Sequence, residues 1–228
     1  MDQGSSAKKL IGIGLGAAIV CVLLGLYIGL YLTNVPGAAS ATTTPTGARL
    51  YLAAVPAAAL DDPHPTWVSY YKTSATATNW QHVTTYDLPA HSLVRITIYT
   101  YDSQTGLRNP FISQVTGAVG GTFTLGGTGL KTKVLKTIYP ITASHVFAIP
   151  QWGVSVPLLG VSGNAKNQCA NAPCSLSQAH TTTTFTIRTP GPGLYRWQCF
   201  VPCAAGFIQG FGGPMQTVGY MDGYIKIA

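Results

Sequence analysis

Hydrophobic positions along this 228-residue chain follow two patterns, one continuous run near the N-terminus and a series of short alternating stretches after it. Residues 10–33 carry no charge. At ~1.5 Å per residue, a helix of that length exceeds the hydrocarbon thickness of a bilayer, so the run predicts a membrane-spanning helix. Further on, residues 93–101, 133–139, 145–149, 181–188, 194–199 and 220–227 alternate apolar and polar side chains and are rich in Thr, Val, Ile and Tyr. Short period-two segments cut by Gly and Pro predict an all-β, antiparallel sandwich with Greek-key connections. A short helix is expected at 66–72. The glycine-rich stretch 117–129 lacks the Lys-Ser/Thr ending of a phosphate loop and reads as a hairpin or flexible turn.

These patterns divide the chain into an N-terminal tail (1–9), the span (10–33), a Pro/Thr/Ala linker expected to carry no packed structure (34–48) and a folded domain (49–228). Lys8 and Lys9 precede the span and no basic cluster closely follows it. The positive-inside rule therefore puts the tail in the cytoplasm and the domain on the extracytoplasmic side of the cell membrane, as a single-pass protein. Ala39-Ser40-Ala41 resembles a cleavage site, but the apolar run is much longer than the ~7–15 residues of a signal peptide core, so an uncleaved anchor is expected. Gly12 with Gly16, and Gly25 with Gly29, have the small-xxx-small spacing that lets a second helix approach, which predicts a partner subunit in the membrane.

Charge narrows the function classes. Only 8% of residues are charged, all six acids are Asp, and the net charge is +7. So few carboxylates give acid little to protonate, which predicts tolerance of an acidic exterior. The cations are scattered, with no run beyond two and no nucleic-acid motif, so no nucleic-acid partner is expected. Hydrolase chemistry is not indicated either. No Gly-x-Ser-x-Gly occurs, no carboxylate is evident to orient a histidine, and Asp61-Asp62 sit together in a Pro-flanked loop. No independent catalysis is expected.

Cysteine and histidine carry the candidate chemistry. Of five cysteines, Cys21 lies in the span, and Cys169, Cys174, Cys199 and Cys203 lie beyond it, allowing three pairings in an oxidising compartment. Cys199 and Cys203 leave a predicted strand four residues apart, so they form either a thiolate metal site or a disulfide. With His145 they are three donors of the kind that copper or zinc prefers. A structural zinc site would need a second close pair, for which Cys169 and Cys174 are available, but their spacing and the exposed compartment point to a disulfide there. His64 and His82 lie in loop-like contexts.

Residues 144–157, Ser-His-Val-Phe-Ala-Ile-Pro-Gln-Trp-Gly-Val-Ser-Val-Pro, resemble the segment of subunit II of haem–copper terminal oxidases that carries the first histidine of the dinuclear copper A centre. Residues 190–203, Pro-Gly-Pro-Gly-Leu-Tyr-Arg-Trp-Gln-Cys-Phe-Val-Pro-Cys, resemble that family's Pro-Gly-x-Tyr-x-x-x-Cys-x-x-x-Cys loop. The likeness spans about residues 140 to 228 and is only general from 85 to 140. It implies a cupredoxin-like Greek-key sandwich with one N-terminal transmembrane helix, and copper held by His145, Cys199, Cys203 and the main-chain carbonyl of Val201.

The chain departs from that pattern at two places. Phe207 stands where the family has its second histidine, and Gly210 where it has a methionine, with Met215 a few residues on. A phenyl ring cannot coordinate. Three outcomes follow: a mononuclear copper site using His145, one cysteine, Met215 and His91 or His180; an altered dinuclear centre with Met215 or His180 standing in; or a disulfide between Cys199 and Cys203 in a copper-free accessory subunit. Trp152 and Trp197 flank the site in sequence and are expected to be core or rim aromatics. As implied by the resemblance, the chain is an electron-transfer component of a respiratory membrane complex, with a redox donor that is acidic or docks through apolar contacts.

Overall fold

The computed structural model describes residues 3–27, 38–40, 42–44, 47–57, 66–203 and 210–228. Two compact units divide the chain, Met1–Val35 and Pro36–Ala228. The described residues of the first form the helix α1 (Gln3–Tyr27), which covers residues 10–27 of the expected span. Residues 28–33 lie outside the described residues, and among those described no helix is long and apolar enough to cross a membrane.

The described residues of the second unit form thirteen strands: β1 (Ala38–Ser40), β2 (Thr42–Thr44), β3 (Gly47–Val55), β4 (Ser69–Lys72), β5 (Thr85–Leu88), β6 (Leu93–Thr100), β7 (Phe123–Gly127), β8 (Lys133–Leu135), β9 (Ala143–Ile149), β10 (Val154–Leu159), β11 (Thr181–Arg188), β12 (Gly193–Gln198) and β13 (Asp222–Ile227). One sheet has the order β1-β5-β13-β12-β9-β10, the other β2-β3-β6-β11-β7-β8, with β4 on the side of β3. The all-β sandwich expected from the alternating pattern is what forms. Its sheets are mixed rather than antiparallel, because β3 runs parallel to β6 and β5 runs parallel to both β1 and β13.

Alternation decides which side chains meet between the sheets. Val94, Ile96 and Ile98 of β6 and Phe185 and Ile187 of β11 face Phe147, Trp197 and Ile225 of the other sheet, in one continuous core. Trp197 is its centre: the indole stacks on Phe147 at 5.2 Å and Tyr86 at 5.8 Å, and Nε1–H donates to the Thr84 carbonyl at 2.8 Å. The opposite register of β6 puts Tyr99 and, just past the strand, Tyr101 in a second cluster with Tyr71 and Tyr220. Strand β13 has no room for a side chain at Gly223, where a Cβ would stand 1.9 Å from the Thr84 carbonyl oxygen.

Several local expectations change. Residues 69–72 are strand β4 and not helix, since Tyr70 and Tyr71 are both buried but join different clusters, as alternation on a strand requires. The 34–48 linker contains β1 and β2, which pair with β5 and β3, and its last two residues open β3. Only Lys133–Leu135 of 133–139 is strand, because residues 136–138 turn to bond residues 113–115. The 117–129 stretch holds a 3-10 turn, Val119–Gly121, and then β7.

Candidate metal centre

Strand β9 lies between β10 and β12 and all seven of its residues are buried. It carries His145, on the same side as Phe147 by the two-residue period, and holds the imidazole inside the sandwich at 1% exposure. β12 reaches β9 only at its end, where Gln198 is opposite Ala148, so the chain leaves β12 beside β9. Cys199 is therefore delivered to His145 by sheet geometry. The loop then turns so that Cys203 returns to the same point. Gly210, at φ +89°, closes against this loop, with its Cβ position 2.4 Å from Pro202 Cβ, so a side chain there would push the loop away.

Three donor atoms converge. Nδ1 of His145 is 3.2 Å from Cys203 Sγ and 3.9 Å from Cys199 Sγ, and the two sulfurs are 3.7 Å apart and unbonded. The Val201 carbonyl oxygen is 3.0 Å from Cys203 Sγ and 3.7 Å from Cys199 Sγ. Two sulfurs each ~2.3 Å from one ion at a tetrahedral angle would stand about 3.8 Å apart, so the spacing fits joint ligation without rearrangement. The residues present fit a thiolate-binding metal.

The other imidazole nitrogen is also engaged. Nε2 of His145 lies 3.1 Å from Asp102 Oδ2, an ion-pair contact by distance rather than an aligned hydrogen bond. Asp102 follows β6 and is fixed by the Ser103 N–H donating to Oδ1 at 2.7 Å. A carboxylate on the outer nitrogen turns the inner one toward the sulfurs, as supporting groups do for metal-bound histidines. Asp102 is a site residue that sequence reasoning missed. The contact joins residues 43 positions apart, and no local spacing announces it.

The electrostatics of these side chains follow from this packing. Burial works against a charge on His145, but Asp102 and Cys199 outweigh it and raise the imidazole to about 9. Burial also opposes charge on Asp102, yet His145 holds it below the usual carboxylate range. Cys199 is driven well below the ordinary thiol value, against its burial, by Cys203, His145 and the Val146 N–H that donates to its sulfur at 3.4 Å. Cys203 is pushed well up, chiefly by the adjacent Cys199 thiolate and by burial. The Val201 carbonyl lies closer to Cys203 Sγ than to Cys199 Sγ, and so can accept from the thiol that stays protonated to higher pH.

The remaining expected site residues sit as follows. Met215 is fully buried in the 3-10 turn Gly213–Met215, with its carbonyl accepting from Gln198 Nε2 at 2.7 Å. His91 does not join the cluster. Its N–H donates to Pro190, and it follows β5, whose Leu88 aligns with Ile227 and so with Gly193 at the start of β12. The six residues of β12 put that end about 20 Å from Cys199. His180 is also elsewhere, packed on Tyr99 and Tyr101 with Nδ1 close to Gln178 O and Thr128 Oγ1. Tyr101 and Asp102 are consecutive, so His180 occupies the sheet face opposite His145. Phe207 and His64 lie outside the described residues.

Cys169 and Cys174 form the expected disulfide, at the second aromatic cluster. His82 stacks on Tyr71 at 4.5 Å on that same side. Trp197 is core, as expected, and Trp152 is half-buried against Tyr195 at 4.9 Å.

No family model matches the chain, and no curated protein matches it. Among solved structures, reduced rusticyanin aligns over 86% of this chain and 87% of its own at 17% identity and TM-score 0.35. Rusticyanin from Thiobacillus ferrooxidans aligns over 90% and 94% at 15% identity and TM-score 0.32. A chain of a haem-copper terminal oxidase dimer aligns over 98% and 99% at 12% identity and TM-score 0.31. At TM-scores this low the likenesses assign neither fold family nor function.

Proposed function

We propose that this protein is a membrane-anchored, cupredoxin-like copper protein that passes electrons within a respiratory oxidase-type complex, its domain on the extracytoplasmic side. The observation that carries the reading is the convergence of His145 Nδ1 and the Cys199 and Cys203 sulfurs, all mutually within 4.8 Å, in a buried pocket. Thiolates with an imidazole suit copper, and copper bound there would supply a one-electron redox couple. His145, Cys199 and Cys203 would hold it, with the Val201 carbonyl as a weak oxygen donor and Met215 as a further candidate. Asp102 orients the imidazole and the surrounding core excludes water. The same chain closes Cys169–Cys174 yet leaves these two thiols unpaired, which favours a metal over the disulfide-closed accessory subunit. Structural zinc generally takes four protein ligands, and the described His, Cys and acidic residues bring only three together.

The anchor is the apolar run 10–33, and its paired glycines would receive a helix of a partner subunit. Titrating the reduced full chain with copper should produce intense thiolate-to-copper absorption in the visible. An unchanged spectrum, with no thiol beyond Cys21 titratable in the protein before reduction, would instead favour the copper-free accessory subunit. If Cys199→Ser and Cys203→Ser each abolish the band, the site is dinuclear; if one variant keeps it, the site is mononuclear.

A further inference from the structure

Residues 103–221 contain no Asp or Glu but seven Lys and Arg, so more than half of the chain is acid-free. Part of that stretch forms the surface beside the metal loop. Segment 105–115 is tied to 136–143 by backbone bonds from Thr105 to Ala143, Gly106 to Ile141, Val115 to Lys136 and Ile138 to Ser113. On this surface Phe111, Tyr139 and Ile141 are 59%, 79% and 50% exposed, an unusual amount of bare apolar and aromatic side chain for adjacent loops. Arg108 and Lys136 stand exposed among them, and neither is in an ion pair among the described residues. The patch reaches the metal loop directly, since the Phe111 ring meets Phe200, the residue after Cys199, at 6.5 Å.

We infer that this face, centred on Arg108, Phe111, Lys136, Tyr139 and Ile141, is the docking surface for an acidic partner protein. Charge complementarity selects the occupant. Cations with no nearby carboxylate to repel an approaching acidic surface speed and orient encounter, while apolar side chains at the centre supply the contact that holds it. Asp102, just past the end of β6, is engaged by the His145 imidazole at 3.1 Å. Phe111 and Phe200 place such a partner against the loop that carries both thiols. That the partner exchanges electrons rests on the proposed function; the surface itself does not.

The test uses fluorescently labelled polyglutamate as the probe and the full chain held in zwitterionic nanodiscs, with and without added copper. Binding should weaken about tenfold or more in the Arg108→Glu/Lys136→Glu variant and with rising salt, and hardly change in Lys166→Glu, a charge reversal elsewhere on the acid-free stretch. Phe111→Ser should weaken binding of an amphipathic acidic peptide more than that of polyglutamate. Equal losses in Lys166→Glu, or no binding, overturn the proposal. Added anionic-phospholipid vesicles that bind through Arg108 and Lys136 in place of polyglutamate would make the face a membrane surface and also overturn it. Localised polyglutamate binding in a protein that takes up no copper would uphold the surface while rejecting the electron-transfer role.

Discussion

At the scale of single residues, the account turns on a thiolate, an imidazole and a carboxylate in one pocket. Asp102→Asn should lower copper affinity about 10- to 100-fold by loosening His145, measured by competition with a chelator. The metal-free, reduced protein should also show a particular dependence of stability on pH. His145, raised to about 9, would by itself stabilise the fold fully below ~6.5 and lose that contribution as pH rises to 9. Cys199, lowered, has the opposite sign: its contribution is complete above ~8.5 and is lost as pH falls toward its depressed value. Between ~6.5 and ~8.5 the native pair and the unfolded pair each hold one proton, so urea midpoints should be flat there and fall below ~6.5. A steady decline across that window would mean that Cys199 remains a thiol. Cys199, Cys203 and His145 were legible because the two thiols are local in sequence and the histidine lies on an alternating strand. Asp102 was not, since a contact made by the ends of two strands in different sheets leaves no mark on spacing.

At the scale of elements, the site is held by β9, β12 and the aromatic wedge between the sheets. Trp197→Ala should cost about 3–5 kcal/mol, read as a lower urea midpoint with the metal absent, because it empties the space between Phe147, Tyr86 and Tyr70. Gly223→Ala should cost at least ~1–3 kcal/mol by forcing β13 away from Thr84, and an unchanged midpoint would show that β13 does not pack as described. Strand β11 was legible because its burial alternates along its full length, and β6 because Val94 to Ile98 alternate apolar and polar side chains. Strand β4 was not: Ser69–Lys72 is four residues long and is a strand because β3 pairs with it. The same holds for β1 and β2, whose Ala, Ser and Thr composition gives no local preference strong enough to reveal their pairing.

At the scale of the whole molecule, the sandwich brings β9, the end of β6 and the exit of β12 to one edge, and there the metal pocket meets an acid-free surface. The two-sheet architecture followed from the sequence pattern, but its mixed strand directions did not, because parallel pairing of β3 with β6 joins segments on either side of β4 and β5. His91 and His180 were candidates by residue type alone, and the register of β12 and the alternation at Tyr101 and Asp102 remove both. The most direct test is the metal content of the full chain purified without oxidation or chelators from its native source. Copper should be present, and Cys199 and Cys203 should react with an alkylating reagent only after its removal. A metal-free protein yielding a Cys199–Cys203 disulfide peptide, or one holding zinc in place of copper, would contradict the account.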